Sequence, residues 1–542
     1  MKAEVKQIEG YAYGAIQPSV VLTFSDYSAG ARNFNKKLKK LLEYLPRFED
    51  QQRFFDGDAS IDQASTPVAF VTLLDTLNNY CGDQRFTPIH VFEEEASLCF
   101  ALPTLSTAMT RLNMNTVKHL LGMIGQDTSS AQVQSFLEKH KGKTRPFLPA
   151  GTNAGSFIEA AAERKIPFKI FNQIYVIFGY GSGSRIFSSS IADEESAIGV
   201  GLAKSKVNTN RLLKMSGIPV AEQARVRTID DAIRFAGKIG YPVVLKPEAE
   251  EQGRGVCTFL QTQLELEQIF QKLIEKFKSL IVERHYFGDG YRVYVLNNQV
   301  VRVRKLEAAH VVGDGNLSIQ KLIDKENSAD ERNSISASIK KIVVDGDVKR
   351  MLQKQNLGLQ DVPIAGAKVL LASTTNLSRG GKSTDFFESL HPENRRLCEE
   401  ASKTIGLYCS GVDLISPDAS LPWHKNGAIV CEVNAQPQIG SVGKVAMHDQ
   451  MIHDAKIQQL PISINVVGDK KQHAPSIFNK CDDHLKITIS SKHILDFGCP
   501  VQYFDELEIS DDVSDEERQK IERMLASVKP EFDEIVTPRI KT

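Results

Sequence analysis

The stretch GAIVCEVNAQP, Gly427–Pro437, places a carboxylate and an amide near the end of a run of small and β-branched residues. A short apolar run of this kind predicts a buried strand. Successive side chains of a strand point to opposite faces, so Glu432 and Asn434 share one face while Val433 points to the other. Two oxygen donors that converge on one point favour a hard cation such as Mg²⁺, although a Glu and an Asn at a strand end could equally face water.

Length and composition restrict the class of protein. At 542 residues the chain is too long for a single core, so we expect roughly two to four domains. Lys and Arg total 66 against 67 Asp and Glu, a net charge of −1. This balance argues against nucleic acid or a charged membrane surface as the main partner and favours a small molecule.

The lack of a membrane-spanning or secretory pattern and the spacing of the cysteines favour the cytoplasm. No apolar run approaches the roughly 20 residues that span a bilayer, and the N-terminal residues lack the apolar core of a secretory signal. The eight cysteines include no CxxC pair, which is typical of reduced thiols rather than of disulfides or a zinc site. We therefore expect a cytoplasmic protein with no membrane partner.

The order of patterned segments predicts three domains in an α+β chain. Strand-like and helical stretches alternate irregularly over residues 1–145, which indicates an N-terminal α+β domain without an evident chemical motif. A segment rich in Gly, Pro and polar residues, 139–155, marks the first boundary. Residues 146–455 form the second domain, and residues 456–542 form a C-terminal α+β tail that finishes in a charged helix.

Two glycine-rich segments suggest phosphate loops but lack the required context. GYGSGSR, 179–185, has no third element of the GxGxxG pattern and no acidic residue about 20 positions further on in a strand. NLSRGGKST, 376–384, ends like a P-loop, yet Asn376 stands where that motif needs its first glycine, and no helix pattern follows directly. We expect neither segment to bind nucleotide phosphates in these ways.

The residues between 200 and 440 follow a more informative order. Lys206 lies at a predicted helix start, and Lys246 ends an apolar strand that Pro247 terminates. A glycine-containing loop, 250–256, then offers backbone amides to an anion. Taken alone, each of the charged residues that follow on predicted strands could simply be a solvated side chain, including Asp413 at a strand end. These residues are Glu283, Arg292, Arg302, Arg304 and Asp413.

This order resembles the layout of the ATP-grasp ligases, and several long runs resemble the ligase module of the cyanophycin synthetases. The runs are HVVGDGNLSIQKLIDKEN (310–327), NLSRGG (376–381), HPENRRL (391–397) and GVDLISPD (411–418), together with GAIVCEVNAQP. The resemblance covers about residues 150–440 strongly and residues 1–145 weakly. It implies an N-terminal α/β domain followed by an ATP-grasp fold with a lid subdomain.

The resemblance also implies roles for individual residues. Lys206 and Lys246 would bind nucleotide phosphates under the 250–256 loop, and Asp413, Glu432 and Asn434 would hold two Mg²⁺ ions. The remaining residues implied for nucleotide binding are Gly253, Arg254, Gly255, Glu283, Arg284, Tyr286 and Asp289. Asp289 is the alternative to Gly290, which stands where the pattern has an acidic residue for ribose.

The expected activity is ATP-dependent, ADP-forming ligation of a carboxylate to an amine through an acyl phosphate. The residues expected to bind phosphate, acyl phosphate or a substrate carboxylate are Arg292, Arg304 and Arg379. The substrate would be an amino acid or short peptide, the cofactors ATP and Mg²⁺, and the protein a homo-oligomer. The alternatives are a glutathione-synthetase-like dipeptide ligase and a non-catalytic nucleotide-binding subunit. Because no Mur-ligase-like half with its own P-loop precedes Thr542, we expect no second ligation.

Overall fold

The computed structural model divides into two compact units, and it describes most of the chain. Unit 1 comprises Met1–Ser189 and His448–Thr542, and unit 2 comprises Ser190–Met447. The sequence predicts three domains with boundaries at 145/146 and 455/456, and that division stays a prediction. The described residues are 3–25, 41, 45, 55–57, 65–123, 129–149, 153–248, 255–328, 341–372, 375, 380–439, 447–448, 450–451, 453, 461–469, 483–502, 504–526 and 539–541. Over those residues, no helix is long and apolar enough to cross a membrane.

Unit 1 begins with a five-stranded sheet and helices that pack against it. The strands are β1 (Ala3–Ile8), β2 (Ser19–Phe24), β3 (Phe55–Gly57), β4 (Ile89–Glu94) and β5 (Ser97–Pro103), in the order β1-β2-β5-β4-β3. The helices are α1 (Thr66–Cys81), α2 (Thr107–Met123) and α3 (Ser130–Thr144). Val20, Leu22 and Phe24 pack with the helices on one face of β2, while Val21 is buried on the other, so both faces of the central strands are covered.

The next segment of unit 1 is a helix followed by a small antiparallel sheet. Helix α4 is Asn153–Glu163, and the strands are β6 (Phe168–Phe171), β7 (Tyr175–Phe178) and β8 (Arg185–Ser188). Asn172 and Gln173 adopt left-handed backbone conformations between β6 and β7, so these two strands form a hairpin. The glycines of GYGSGSR form a short 3₁₀ turn, Gly181–Gly183, before strand β8 rather than opening an α-helix.

Unit 2 contains a four-stranded antiparallel sheet with two helices on one face. After β9 (Ile191–Ala192), α5 (Ala197–Ala203) and α6 (Lys206–Met215), the sheet is formed by β10 (Gln223–Val226), β11 (Val243–Pro247), β12 (Cys257–Leu260) and β13 (Leu280–Arg284). The order is β10-β13-β11-β12, and the covering helices are α7 (Ile229–Ile239) and α8 (Gln263–Ile274). Val243 and Leu245 pack under these helices. Because side chains alternate, Val244 and Lys246 point to the opposite face.

A second sheet of unit 2 has five antiparallel strands in the order β18-β15-β14-β19-β20. Its strands are β14 (Asp289–Leu296), β15 (Gln299–Glu307), β18 (Lys382–Asp385), β19 (Cys409–Ser416) and β20 (Ile429–Asn434). The tight β14–β15 turn uses Asn297 and Asn298, both left-handed, as an Asn-rich hairpin turn favours. Helices α6 and α11 (Pro392–Ile405) cover one face of this sheet, where Val293, Val412 and Val433 are buried.

A small subdomain is inserted between β15 and β18. It consists of the strand pair β16 (His310–Val312) and β17 (Lys368–Leu370) with helices α9 (Ile319–Asn327) and α10 (Gly346–Lys354). These elements share their own apolar core, which includes Val311, Ile323, Leu352 and Val369. A single-turn helix, α12 (Trp423–Asn426), later precedes β20.

The C-terminal part of unit 1 is a parallel sheet. Its elements are β21 (Ile462–Val467), β22 (Leu485–Ser490), α13 (Ser491–Phe497), β23 (Glu506–Ile509), α14 (Asp515–Leu525) and β24 (Arg539–Lys541), with strand order β22-β21-β23-β24. It packs closely against the N-terminal residues: a Cβ added at Gly10 would lie 2.3 Å from the carbonyl oxygen of Cys499. The glycine allows this approach, so the two ends of the chain form one unit.

Candidate functional site

The strand pair β19–β20 brings the predicted oxygen donors together. Asp413 lies directly opposite Glu432, and Gly411 lies opposite Asn434. Glu432 and Asn434 are half-buried, whereas Val433 between them is fully buried in the helix-covered core. The shared face inferred from the period of a strand is therefore confirmed. Asp413, expected at a strand end, lies instead inside the eight-residue strand Cys409–Ser416.

A β-bulge at Cys431 interrupts this strand pair. Leu414 pairs with Val430 and Asp413 pairs with Glu432, so Cys431 has no partner of its own. A bulge bends its strand and redirects side chains. The Cys431 thiol lies close enough to Lys246 and Glu432 to interact with both electrostatically, and its burial raises its pKa to about 12. It is therefore a neutral thiol beside charged groups.

One charged side chain from each strand forms a row across the five-stranded sheet. The backbone register pairs Glu432 with Asp413, Asp413 with Arg292, Arg292 with Arg304, and Arg304 with Asp385. Residues directly opposite one another point to the same face. All five side chains therefore lie on the face of the sheet that helices α6 and α11 leave uncovered.

Asp413 is held from two sides. Arg292 donates to it with two nitrogens, Nε to Oδ1 at 2.5 Å and Nη2 to Oδ2 at 3.2 Å. The Nδ2 of Asn434 donates to Oδ2 at 3.3 Å and to the carbonyl of Gly411 at 3.3 Å, which leaves its Oδ1 as a possible ligand. Burial raises the pKa of Asp413, and Arg292 opposes this shift. Arg292, predicted to grip a substrate carboxylate, thus grips a carboxylate of its own chain.

The first predicted lysine reaches the other carboxylate. Lys206 is the first residue of helix α6, which Ser205 caps by accepting from the amide of Asn208. Its Nζ lies 3.4 Å from Oε1 of Glu432. The helix therefore supplies a cation at one end of the row, and Arg292 supplies another on the far side of Asp413. Two carboxylates lie between two cationic side chains.

The second predicted lysine forms a buried ion pair with Glu283, which the resemblance implies for nucleotide binding. Lys246 Nζ lies 2.6 Å from Oε2 of Glu283, and only 8% of Lys246 and 5% of Glu283 are exposed. Burial would lower the pKa of Lys246. The adjacent Glu283, together with Cys431 and Glu432, outweighs the effect of burial, so the pKa of Lys246 is raised. Lys246 on the four-stranded sheet is therefore close enough to Glu432 on the five-stranded sheet for the two charges to interact.

The residues that follow β20 are anchored by side chains. Three successive carbonyls accept from three different donors: Pro437 from the Ser190 hydroxyl at 3.0 Å, Gln438 from the Tyr294 hydroxyl at 2.9 Å, and Ile439 from Arg302 at 2.7 Å. Burial lowers the pKa of Arg302. The direction in which the chain leaves Asn434 is therefore fixed by three separate elements.

Other predicted nucleotide-binding residues lie elsewhere or have other partners. Arg284 donates to Glu222 at 2.7 Å and Tyr286 accepts from the Glu222 amide at 3.3 Å, so both gather on an exposed glutamate rather than on Lys246. Asp289 pairs with Lys305 at 2.5 Å. Asp289 lies three residues before Arg292 on one regular strand segment, so the two side chains point to opposite faces of the sheet. The predicted contact of Asp289 with a ribose stays a prediction.

The remaining predicted residues divide into described and undescribed ones. Gly253, Arg254 and Arg379 lie outside the described residues. Gly255 adopts a left-handed conformation with φ of 69°, as its position in a glycine loop favours. Arg304 donates to Ser383 through Nε at 3.2 Å and to the Ser383 carbonyl through Nη2 at 2.6 Å. Ser383 lies on strand β18, so the P-loop lookalike is followed by a strand and not by a helix.

The donor set around Asp413 fits a hard cation. Among the described residues, no group of three or more His, Cys, Asp and Glu side chains is placed to hold a metal ion. Mg²⁺ in phosphoryl-transfer sites, however, typically takes only one or two carboxylates and fills its shell with water and phosphate oxygens. Asp413 and Glu432 on facing positions, with the Oδ1 of Asn434, provide that kind of set.

Two parts of unit 2 and its C-terminal flank match ATP-grasp family models. Residues 202–288 match the family model described as an ATP-grasp domain, and residues 307–455 match the RimK-like ATP-grasp domain. The resemblance to cyanophycin synthetases is also confirmed: the chain is 33% identical over 292 residues to that of Trichormus variabilis, covering 53% of this chain and 32% of the relative. Over 294 residues it is 35% identical to that of Synechocystis, covering 53% and 33%.

The chain is also similar to a protein named for glutathione biosynthesis. The chain is 30% identical over 241 residues to a glutathione biosynthesis bifunctional protein of Streptococcus mutans, covering 43% of this chain and 32% of the relative. The matched region spans about a third of the length of each of these curated relatives.

Proposed function

We propose that the protein is an ADP-forming carboxylate–amine ligase that acts on an amino acid or a short peptide. The observation that carries the proposal is that Lys206 lies 3.4 Å from Glu432, beside Asp413 and Asn434, while Lys246, paired with Glu283, also interacts electrostatically with Glu432. Two lysines from separate elements and two carboxylates on facing strands are the charges that a nucleotide polyphosphate and its metal ion require. The relatives named for ligation reactions support this reading, and ATP and Mg²⁺ are the cofactors it implies.

The reaction would proceed in two balanced steps. A substrate carboxylate oxygen bonds to the γ-phosphorus of ATP as the bond from that phosphorus to the β-phosphate oxygen breaks, which releases ADP. An amine then bonds to the carbonyl carbon, the bond from carbon to phosphate oxygen breaks, and phosphate leaves while the amine loses a proton. In such transfers most of the catalysis comes from positioning and charge stabilisation rather than from covalent work by side chains.

The residues of this chain divide that work. Lys206 and Lys246 would bind the polyphosphate, and Glu283 would hold Lys246 in place and charged. Asp413, Glu432 and Asn434 would hold Mg²⁺, which neutralises charge on the phosphates when bound. Arg292 orients Asp413, and Arg304 lies next in the row, within reach of the same face. Arg379 and the 250–256 loop complete the proposed phosphate and acyl-phosphate contacts.

The test is ADP release by the purified chain supplied with ATP, Mg²⁺ and paired amino acids or short peptides, with mass spectrometry of the products. We expect release that depends on both an acid and an amine, and a product heavier by one amide-linked residue. Glu432→Gln serves as the control, with ADP release that is reduced at low Mg²⁺ concentration. Release of AMP and pyrophosphate would overturn the acyl-phosphate mechanism. Binding of Mg·ADP without turnover for any pair would instead favour the non-catalytic nucleotide-binding subunit.

A dipeptide ligase like a glutathione synthetase remains the alternative within the same chemistry. The substrate screen separates it, because joining two free amino acids or a dipeptide and an amino acid would identify it. Sedimentation of the purified chain tests the proposed homo-oligomer.

A further inference from the structure

Gly411 lies in the middle of strand β19, a position where glycine is unfavourable. Glycine inside a strand weakens it and commonly marks a close approach of another group. No left-handed conformation explains this glycine, since the positive-φ residues of the described chain do not include it. Some neighbour must therefore need the space that a Cβ would fill.

That neighbour is Arg292. A Cβ built on Gly411 would lie 3.1 Å from Nη1 and 3.2 Å from Cδ of Arg292, and 3.0 Å from Cβ of Pro437. These distances are shorter than the roughly 3.5–4.0 Å of favourable contact between carbon atoms. The side chain of Arg292 therefore lies flat over the backbone of Gly411, and Pro437 closes the other side of the same space.

The consequence falls on Asp413, two residues along the strand. With Nη1 against Gly411, the opposite edge of the guanidinium, Nε and Nη2, faces the two oxygens of Asp413. A methyl group at position 411 would push Nη1 and Cδ away and turn this edge off the carboxylate. Asn434 would be affected too, because it lies opposite Gly411 and donates to the Gly411 carbonyl.

We propose that Gly411 is a positioning residue of the metal-ligand set, because its missing side chain lets Arg292 fix the orientation of Asp413. The inference rests on the proposed function for its link to Mg²⁺, but its geometric part does not. Groups that orient a ligand from outside the coordination shell commonly change metal affinity by about 10–100-fold when they are altered.

The first experiment uses the full chain without any ligand. Thermal unfolding is measured for Gly411→Ala, Arg292→Ala and the double variant. We expect Gly411→Ala to lower the Tm by on the order of 4 °C in the native background. It should leave the Tm unchanged or raise it in the Arg292→Ala background, where the colliding atoms are gone. Equal losses in both backgrounds would assign the cost to Pro437 and overturn the proposal.

The second experiment measures binding by calorimetry, with ADP alone and with Mg²⁺ titrated into the ADP complex. Gly411→Ala should bind ADP as the native chain does and bind Mg²⁺ about 10–100-fold more weakly. Unchanged Mg²⁺ affinity would overturn the proposal, and so would an equal loss for ADP alone, which indicates general damage to the site.

The matched control is Gly237→Ala in helix α7, where an added Cβ meets nothing within 4 Å. It should not lower the Tm and should leave both affinities unchanged. If the native chain released no ADP with any substrate, the proposed activity would fail, yet the ligand-free thermal cycle would still decide the role of Gly411. The two failures are therefore distinguishable.

Discussion

The buried ion pair of Lys246 and Glu283 allows a quantitative test of the site. The substitution Glu283→Gln keeps the shape of the side chain and removes its charge, so Lys246 loses the carboxylate that lies 2.6 Å away. Removing one partner of a buried ion pair costs about 3–5 kcal/mol. Because the Gln oxygen can still accept a hydrogen bond from the ammonium group, we expect the lower end, about 3 kcal/mol at neutral pH.

The pH dependence of this loss has a definite sign. In the native chain the pKa of Lys246 is raised, because Glu283 outweighs burial, so the lysine is charged in both folded and unfolded states at neutral pH. In the variant, burial acts with less opposition and the pKa falls below its ordinary value of about 10.4. The folded variant then binds fewer protons than the unfolded chain, so its free energy of unfolding rises with pH by at most about 1.4 kcal/mol per unit.

Denaturant unfolding of the full chain without nucleotide measures the loss of stability at about pH 7. The same measurement at about pH 9.5, closer to the ordinary pKa of lysine, shows how much of the loss disappears as the pH rises. Glu222→Gln is the matched control, since Glu222 pairs with Arg284 at the similar distance of 2.7 Å but both side chains are over 40% exposed. An exposed pair contributes about 1 kcal/mol or less. Equal losses from the two substitutions, or a loss from Glu283→Gln that does not shrink at the higher pH, would refute the reasoning.

Three further outcomes are expected. Glu432→Gln should raise the Mg²⁺ concentration for half-maximal ADP release, since it removes an anionic ligand; an unchanged requirement would contradict the ligand role. Burial raises the pKa of Asp83 in unit 1 from 3.8 to about 7. The folded chain therefore keeps a proton that the unfolded chain loses, and unfolding titrations should show stability falling by about 4 kcal/mol between about pH 4 and 7, a fall that Asp83→Asn abolishes. Tyr294→Phe should cost about 1 kcal/mol in the same assay, because the Gln438 carbonyl loses its donor; no loss would show the bond to be dispensable.

Local patterns predicted the elements that hold the site. The period of a strand placed Glu432 and Asn434 on one face, and the apolar run before Lys246 predicted strand β11. The start of helix α6 at Lys206 was also readable, because Ser205 is a favourable cap. Each of these predictions depends only on residues within a few positions of one another, which is why the sequence was sufficient.

The partners of the charged residues could not be predicted in this way. Arg292 and Asp413 are 121 positions apart, and Tyr294 and Gln438 are 144 apart. The pairing of Arg292 with Asp413 depends on the register of β14 against β19, two strands that are far apart in the sequence, and no local pattern specifies that register. The motif position of Asp289 likewise did not show which face it points to, because strand alternation fixes that face, and its role in nucleotide binding stays a prediction.

Gly411 carried a sequence signal that was not used, whereas Cys431 carried none. A glycine within an otherwise β-branched strand indicates a close approach, and CSGVD contains one. The bulge at Cys431 had no comparable signal, because any residue can be the unpaired one. Only the paired register of β19 and β20 shows that Leu414 meets Val430 while Asp413 meets Glu432.

The row of charges gives an argument for a cation that does not depend on any motif. Like charges directly opposite one another destabilise an antiparallel strand pair, and Asp413 and Glu432 occupy such positions. Lys206 lies 3.4 Å from Glu432 at one end of the carboxylate pair, and Arg292 pairs with Asp413 at the other end. Under the proposed function, a divalent ion held by both carboxylates would neutralise the two like charges that the strand register places opposite one another. The facing carboxylates are thus a reason, independent of any motif, to expect affinity for Mg²⁺ at this place in the sheet.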